Sequence, residues 1–272
     1  WAMDCFERGL IGPADTGGLE LRFGNAAAMV QLVNAIAHRT GFGDLLAEGS
    51  ARAAEEIGRG TADLVVAVKK QELPAHMPQM KPGLGLVYAV NPFGADHQSC
   101  EHDPAYNFYP ERAKQLGLEN PQPEFELNQE VARYAFVTQC LYSCLDSLDI
   151  CQFVFGAGWQ LYDPAQMVEA VQAITGWDVT MDELLKVGEK RINLMRLFNL
   201  RAGVDASADV LPKKIFQPLT GGKSDGRSID PADFEQARRA YYRLAGWDVE
   251  TGIPRQEKIE TLGIGWAREP DS

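Results

Sequence analysis

The sequence predicts a mainly α, multihelical chain: two packed all-α subdomains with a long Pro/Gly-rich loop region that forms a site. Three observations carry this. Apolar residues recur at helical spacing over several long runs that have recognisable caps. Only one short stretch, 62–68, is rich in β-branched residues. Between Lys70 and Pro110 both patterns break up, with prolines at 74, 78, 82, 92, 104 and 110 and glycines at 83, 85 and 94 between them. The expected division falls near residue 70, giving helical subdomains over 1–70 and 71–272.

Taken in order, Trp1 to Arg8 reads as the tail of a helix stopped by Gly9, which predicts a chain cut from something longer. Asn25 is a good N-cap, and Met29, Val30, Val33, Ile36 and Ala37 follow at helical spacing until Thr40-Gly41. His38 lies in the last turn of that helix, where a cation complements the dipole, so its reading is structural. A second helix is expected from Asp44 to Ile57, with Gly58 at its end. Ala62 to Val68 is the best strand candidate.

After the loop region the helical period returns from Leu127 to Leu148, with Val131, Tyr134, Thr138, Leu141, Leu145 and Leu148 along one stripe. Phe153 to Trp159 is apolar and contains glycine, as a closely packed segment would. Pro164 to Thr175 has Pro at the first helical position, and Met181 to Arg201 is capped by Thr180. Gly203 to Ser228 is polar and Gly-rich, a surface excursion. Asp230-Pro231 then restarts a helix that ends near Gly246. Gly176-Trp177-Asp178-Val179 and Gly246-Trp247-Asp248-Val249 share one helix-to-loop turn without common flanks, so no repeat architecture follows.

A chain of 272 residues, 45% hydrophobic and 24% charged, has ordinary globular composition and can bury a sizeable core. A net charge of −12 with no Lys/Arg cluster argues against a nucleic-acid surface. No apolar run reaches membrane-spanning length. Five irregularly spaced cysteines argue against a secreted disulfide framework and for a reducing, cytoplasmic setting.

Two stretches carry candidate chemistry. A loop region as long as Lys70–Pro110 is uncommon in a compact domain unless it builds a site. Within it, Asp96 to Asp103 holds two His, one Cys and three acids, but His-x2-Cys-x-His matches no common zinc spacing. A single catalytic imidazole lining a pocket is the preferred reading, against a histidine simply packed in a loop. His76, among Pro74, Met77, Pro78 and Met80, is a weaker candidate for a channel wall. The second stretch is Asp146-Ser147-Leu148-Asp149-Ile150-Cys151, where the longest helix ends. From that corner Asp146 can accept hydrogen bonds from N–H groups of a heterocycle, and Cys151, as a thiolate, can bind iron or zinc. Taken alone, a capping Asp beside a buried cysteine is the more ordinary reading. Cys140 and Cys144, one turn apart on a helix, read as buried apolar residues.

Together with its neighbours, that corner resembles the second pterin-contact motif, Asp-x-x-Gly-Leu-Cys, of the tungsten-containing aldehyde ferredoxin oxidoreductase family. Ala2 to Gly9, Asp15-Thr16-Gly17-Gly18-Leu19-Glu20-Leu21-Arg22-Phe23-Gly24 and Gly43-Asp44-Leu45-Leu46-Ala47-Glu48-Gly49 also match. So do Glu72-Leu73-Pro74, Gly85-Leu86-Val87-Tyr88-Ala89, Gly94-Ala95-Asp96-His97 and Thr175-Gly176-Trp177-Asp178. The resemblance runs nearly end to end and covers only the C-terminal, helical part of such a protein.

The resemblance implies an enzyme that oxidises a small aldehyde to a carboxylic acid and passes electrons to ferredoxin. Tungsten or molybdenum held by two pterins, with one 4Fe–4S cluster, carries the redox chemistry. His97 matches the family's active-site histidine, Asp146 and Ile150 match pterin-contacting residues, and Cys151 matches the last cluster ligand. The other cluster ligands come from a Cys-x2-Cys-x3-Cys run that this sequence lacks, so the fragment alone is expected to be inactive. Three positions depart from the family: Asp149 stands where it has Gly, Phe93 where it has a pterin-binding Arg, and Ser99 where it has Lys. Two further readings stay open: the tungsten subunit of an aryl-CoA reductase, and a non-catalytic helical scaffold. No nucleic-acid or membrane partner is expected, and the oligomeric state, a homo-oligomer included, is left open.

Overall fold

The computed structural model describes residues 1–268, and it is mainly α. The helices are α1 (Ala2–Glu7), α2 (Ala26–His38), α3 (Phe42–Leu46), α4 (Ser50–Ile57), α5 (Pro82–Val90), α6 (Asp103–Phe108), α7 (Pro110–Lys114), α8 (Gln129–Ser147), α9 (Pro164–Thr175), α10 (Met181–Arg201), α11 (Pro231–Ala245) and α12 (Gln256–Thr261). Between α4 and α5 a two-residue hairpin, β1 (Ala67–Val68) with β2 (Gln71–Glu72), pairs antiparallel.

The long helices begin where their caps specify. Asn128 Oδ1 accepts from the backbone N–H groups of Glu130 and Val131, at 3.0 and 3.1 Å, and starts α8. Asp163 with Gln166 and Thr180 with Glu183 form reciprocal capping boxes on α9 and α10. Helix α8 is the hub, packed against α5, α10 and α11. Its contact with α10 is close because Gly188 has no side chain: a Cβ there would lie 1.8 Å from the Cys140 carbonyl oxygen.

Apolar residues of α5, α8 and α11 form the largest core cluster, with Tyr88, Ala135, Tyr241 and Trp247 at its centre. A second cluster joins Tyr106, Tyr134, Leu141 and Leu145 to Met167 and Leu184 of α9 and α10. A third is confined to residues 1–64. A buried polar knot ties β1 to the main core. Asp209 binds Lys69 at 2.7 Å and Arg196 at 2.8 Å, and the Arg196 guanidinium lies 4.7 Å from the Trp247 ring centroid.

Several expectations change. The helix expected from Asp44 to Ile57 is two, because Gly49, at φ 90°, breaks it between α3 and α4. The strand expected over Ala62–Val68 is a 3₁₀ turn, Thr61–Leu64, followed by the short β1; a hairpin of this size finds only one partner. The loop region contains α5, which is buried on every side and so lacks the one-sided period that marks a surface helix. The excursion from Gly203 to Ser228 is irregular, yet Leu211 and Ile215 anchor it in the core. Among the described residues, no helix is long and apolar enough to cross a membrane.

Candidate functional site

Helix α8 delivers the Asp146–Cys151 corner. The chain leaves the helix through Asp149 at φ 56°, and the Ile150 N–H returns to the Leu145 carbonyl at 3.0 Å. A left-handed residue is what a helix end of this type requires, and Asp adopts it at lower cost than most side chains. Asp146 is exposed and binds Arg191 of α10 at 2.9 Å, while Arg191 also donates to Ser143 Oγ at 3.2 Å. Ile150 is partly buried against the second apolar cluster. Cys151 is exposed, whereas Cys140 and Cys144 are buried. Burial raises the Cys140 thiol far above the ordinary range and pushes Cys144 up to about 11. Of these three sulfurs, only that of Cys151 belongs to an exposed residue.

The His97 loop is shaped by Gly94. Its φ is 92°, and a Cβ there would come within 2.4 Å of the Val68 carbonyl oxygen, so the loop can press onto β1 only with glycine. Asn91 Nδ2 closes the turn by donating to Gly94 O at 2.9 Å and to Ser99 Oγ at 3.2 Å. His97 then faces a cavity of about 230 Å³ shared with His76, His102, Glu101, Tyr142 and Trp159. The ring centroid of His76 lies 4.9 Å from that of His97 and 4.6 Å from that of His102.

Polar groups beneath the cavity are closely coupled. Lys81 Nζ contacts His102 Nδ1 at 2.7 Å and His76 Nδ1 at 3.1 Å. Glu101 is buried, and its carboxyl accepts from the His102 N–H at 2.9 Å, from Gln160 Nε2 at 2.9 Å and from the Tyr142 hydroxyl at 3.0 Å. Burial raises the Glu101 carboxyl despite these donors. Burial, and then the Lys81 charge, push His102 down to about 4.

The expected site residues fall into two neighbouring places. His97 and Cys151 meet through their sequence neighbours, because Gln152 Nε2 donates to Gln98 Oε1. Asp146 lines a separate, narrow cleft with Phe93, Ser99 and Arg191. Thus the two positions expected to depart from the family's cations, Phe93 and Ser99, converge on Asp146, with Arg191 supplying positive charge there. Sequence reasoning missed Lys81, Glu101 and His102; only the density of titratable residues around His97 pointed to them. Among the described residues, no group of three or more His, Cys, Asp or Glu side chains is placed to hold a metal ion by itself. A metal group bound through Cys151 would therefore draw its remaining ligands from elsewhere. The exposed sulfur and the exposed Asp146 carboxylate fit such shared sites.

Residues 1–264 match a family described as aldehyde ferredoxin oxidoreductase, domains 2 & 3. Tungsten-containing aldehyde ferredoxin oxidoreductases of Pyrococcus horikoshii and Pyrococcus furiosus are each 36% identical, over 97% of this chain and 41% of theirs. An aliphatic sulfonate oxidoreductase, WOR-like subunit, of Pyrococcus furiosus is 28% identical over 98% of this chain and 39% of its own length. The active-site complex BamBC of benzoyl coenzyme A reductase with 1,5-dienoyl-CoA superposes with a TM-score of 0.73 at 21% identity, covering 98% of this chain and 43% of that one. That likeness concerns the fold. The chain spans 41% of the length of the tungsten-containing relatives.

Proposed function

This chain belongs to the aldehyde ferredoxin oxidoreductase family, and from that membership we propose that it forms part of an enzyme that oxidises a small aldehyde to a carboxylic acid and hands the electrons to ferredoxin or a similar acceptor. Tungsten, or molybdenum, held by two pterins beside a 4Fe–4S cluster supplies the redox chemistry when bound. In this reading His97 moves the proton at the substrate oxygen, and Phe153 and Trp159 line the cavity with apolar surface. Asp146 accepts from pterin N–H groups, Ile150 is its neighbouring pterin contact, and the Cys151 thiolate binds cluster iron.

The observation that supports this best is the Gln98–Gln152 contact, because it ties the loop of the proton-carrying residue to the corner of the cluster ligand. The free cysteines suit a reducing, cytoplasmic setting. A subdomain boundary near residue 70 belongs to the same reading, since the third apolar cluster, confined to residues 1–64, ends at Leu64.

Metal analysis and aldehyde-dependent viologen reduction by the full-length protein test the proposal. Stoichiometric tungsten or molybdenum with iron is expected. Cys151→Ala should lower the iron content, and His97→Asn should lower kcat by roughly 10²- to 10⁴-fold. A full-length protein with none of these metals and no aldehyde-dependent reduction would sink it. Phe93 and Ser99, in place of the family's cations, favour a second reading, the tungsten subunit of an aryl-CoA reductase. Activity on aryl-CoA esters and none on simple aldehydes would select it.

A further inference from the structure

Three imidazoles share the cavity, and their surroundings differ. His76 and His102 each turn Nδ1 toward Lys81 Nζ, at 3.1 and 2.7 Å. An ammonium group only donates, so both nitrogens must present lone pairs, and the proton of each neutral ring sits on Nε2. For His102 that assignment completes a second contact, since its Nε2–H donates to the His97 carbonyl oxygen at 3.0 Å. A second proton on either ring would have to go to the nitrogen that already faces a positive charge. Among the described residues, the rings that pair with that of His97 are the two imidazoles, with centroids 4.9 and 6.1 Å away.

We propose that Lys81 is a positioning residue: it fixes His76 and His102 as neutral, Nε2-protonated rings and so reserves proton transfer in this cavity for His97. The second half rests on the reading of His97 given above; the clamp on His76 and His102 does not.

The charges facing the cluster are few. Glu101 and Asp103 come from the segment that carries His102, and both carboxyls are raised by burial. They are also the groups that offset the Lys81 charge at longer range. Tyr142 of α8 is hydrogen bonded to Glu101, Tyr134 of α8 donates to the His102 carbonyl at 3.1 Å, and Tyr88 of α5 donates to the His76 carbonyl at 3.3 Å. None of these tyrosines offers a negative charge near neutrality, because burial raises all three. Burial and the Lys81 charge both lower His76 and His102, so removing one of the two separates them.

The chain has only four histidines, and His38, on the exposed face of α2, serves as an internal reference for imidazole NMR. In the wild type, His76 and His102 are expected to stay neutral as Nε2–H tautomers. Lys81→Met should raise the apparent pKa of His102 by about one pH unit. Lys81→Arg, which keeps the charge, should leave His102 at about 4. Thermal unfolding of both variants checks that the fold is retained. A His102 titration unchanged in Lys81→Met, or an Nδ1–H tautomer in the wild type, overturns the clamp. In the full-length enzyme, Lys81→Met should add a second imidazole ionisation to the kcat profile. The NMR shift without that change overturns the assignment of proton transfer to His97 and leaves the clamp standing.

Discussion

His102 shows how one half-buried ring makes the stability of the chain depend on pH. Its folded pKa, about 4, lies below the ordinary 6.5 of an exposed imidazole. As pH falls through that window the unfolded chain takes up a proton that the folded chain refuses, so unfolding becomes easier. Stability from this group is full above about 6.5 and is lost toward about 4. Glu101 acts with the opposite sign, because its raised carboxyl favours the folded state as pH falls. Urea unfolding across this range should therefore compare wild type with His102→Gln. The wild type is expected to lose roughly 2 kcal/mol more than the variant on acidification, a figure reduced from the full shift because part of the ring meets solvent. Equal slopes would show that His102 is not held neutral. Little of this was legible beforehand: Lys81 lies 21 residues from His102, and nothing in their spacing announces the contact.

At the scale of elements, the α8–α10 contact is the most demanding in the chain. A methyl group at Gly188 would overlap the Cys140 carbonyl and approach the Cys144 nitrogen at 2.9 Å. Gly188→Ala is expected to destabilise by about 3 kcal/mol, despite alanine's higher helix propensity, as read from urea midpoints. A stabilised variant would mean that the two helices can separate without loss. The long helices α8 to α11 were legible from the apolar stripe of α8 and the polar starts of the other three: Asp163, Thr180 and Asp230 cap where the sequence indicates, while Asn128 caps α8 just inside its expected start. Helix α5 was hidden for the opposite reason. With residues Pro82 to Val90 all buried, it has no polar face to reveal a period, and Pro82 looks like a break although it occupies the first turn. The corner at Cys151 was visible as a motif, but the cleft that joins Phe93 and Ser99 to Asp146 depends on α10, which contributes Arg191 from 45 residues further along the sequence.

At the scale of the molecule, the buried knot around Asp209 joins parts distant in sequence: Lys69 from the hairpin, Arg196 from α10 and Tyr242 from α11. Asp209→Ala would leave two buried cations without their counter-charge, and a loss of about 3 to 5 kcal/mol is expected in thermal or urea unfolding. A loss confined to a few tenths would mean that water reaches the knot. The connection between Gln98 and Gln152 has a different character, because neither partner carries a charge. A contact between two neutral amides is not screened by salt and does not titrate. The separation between the imidazole and the thiol flanking it should thus be indifferent to ionic strength and to the redox state of anything bound nearby, a mechanical constancy that an ion pair in the same place would not provide.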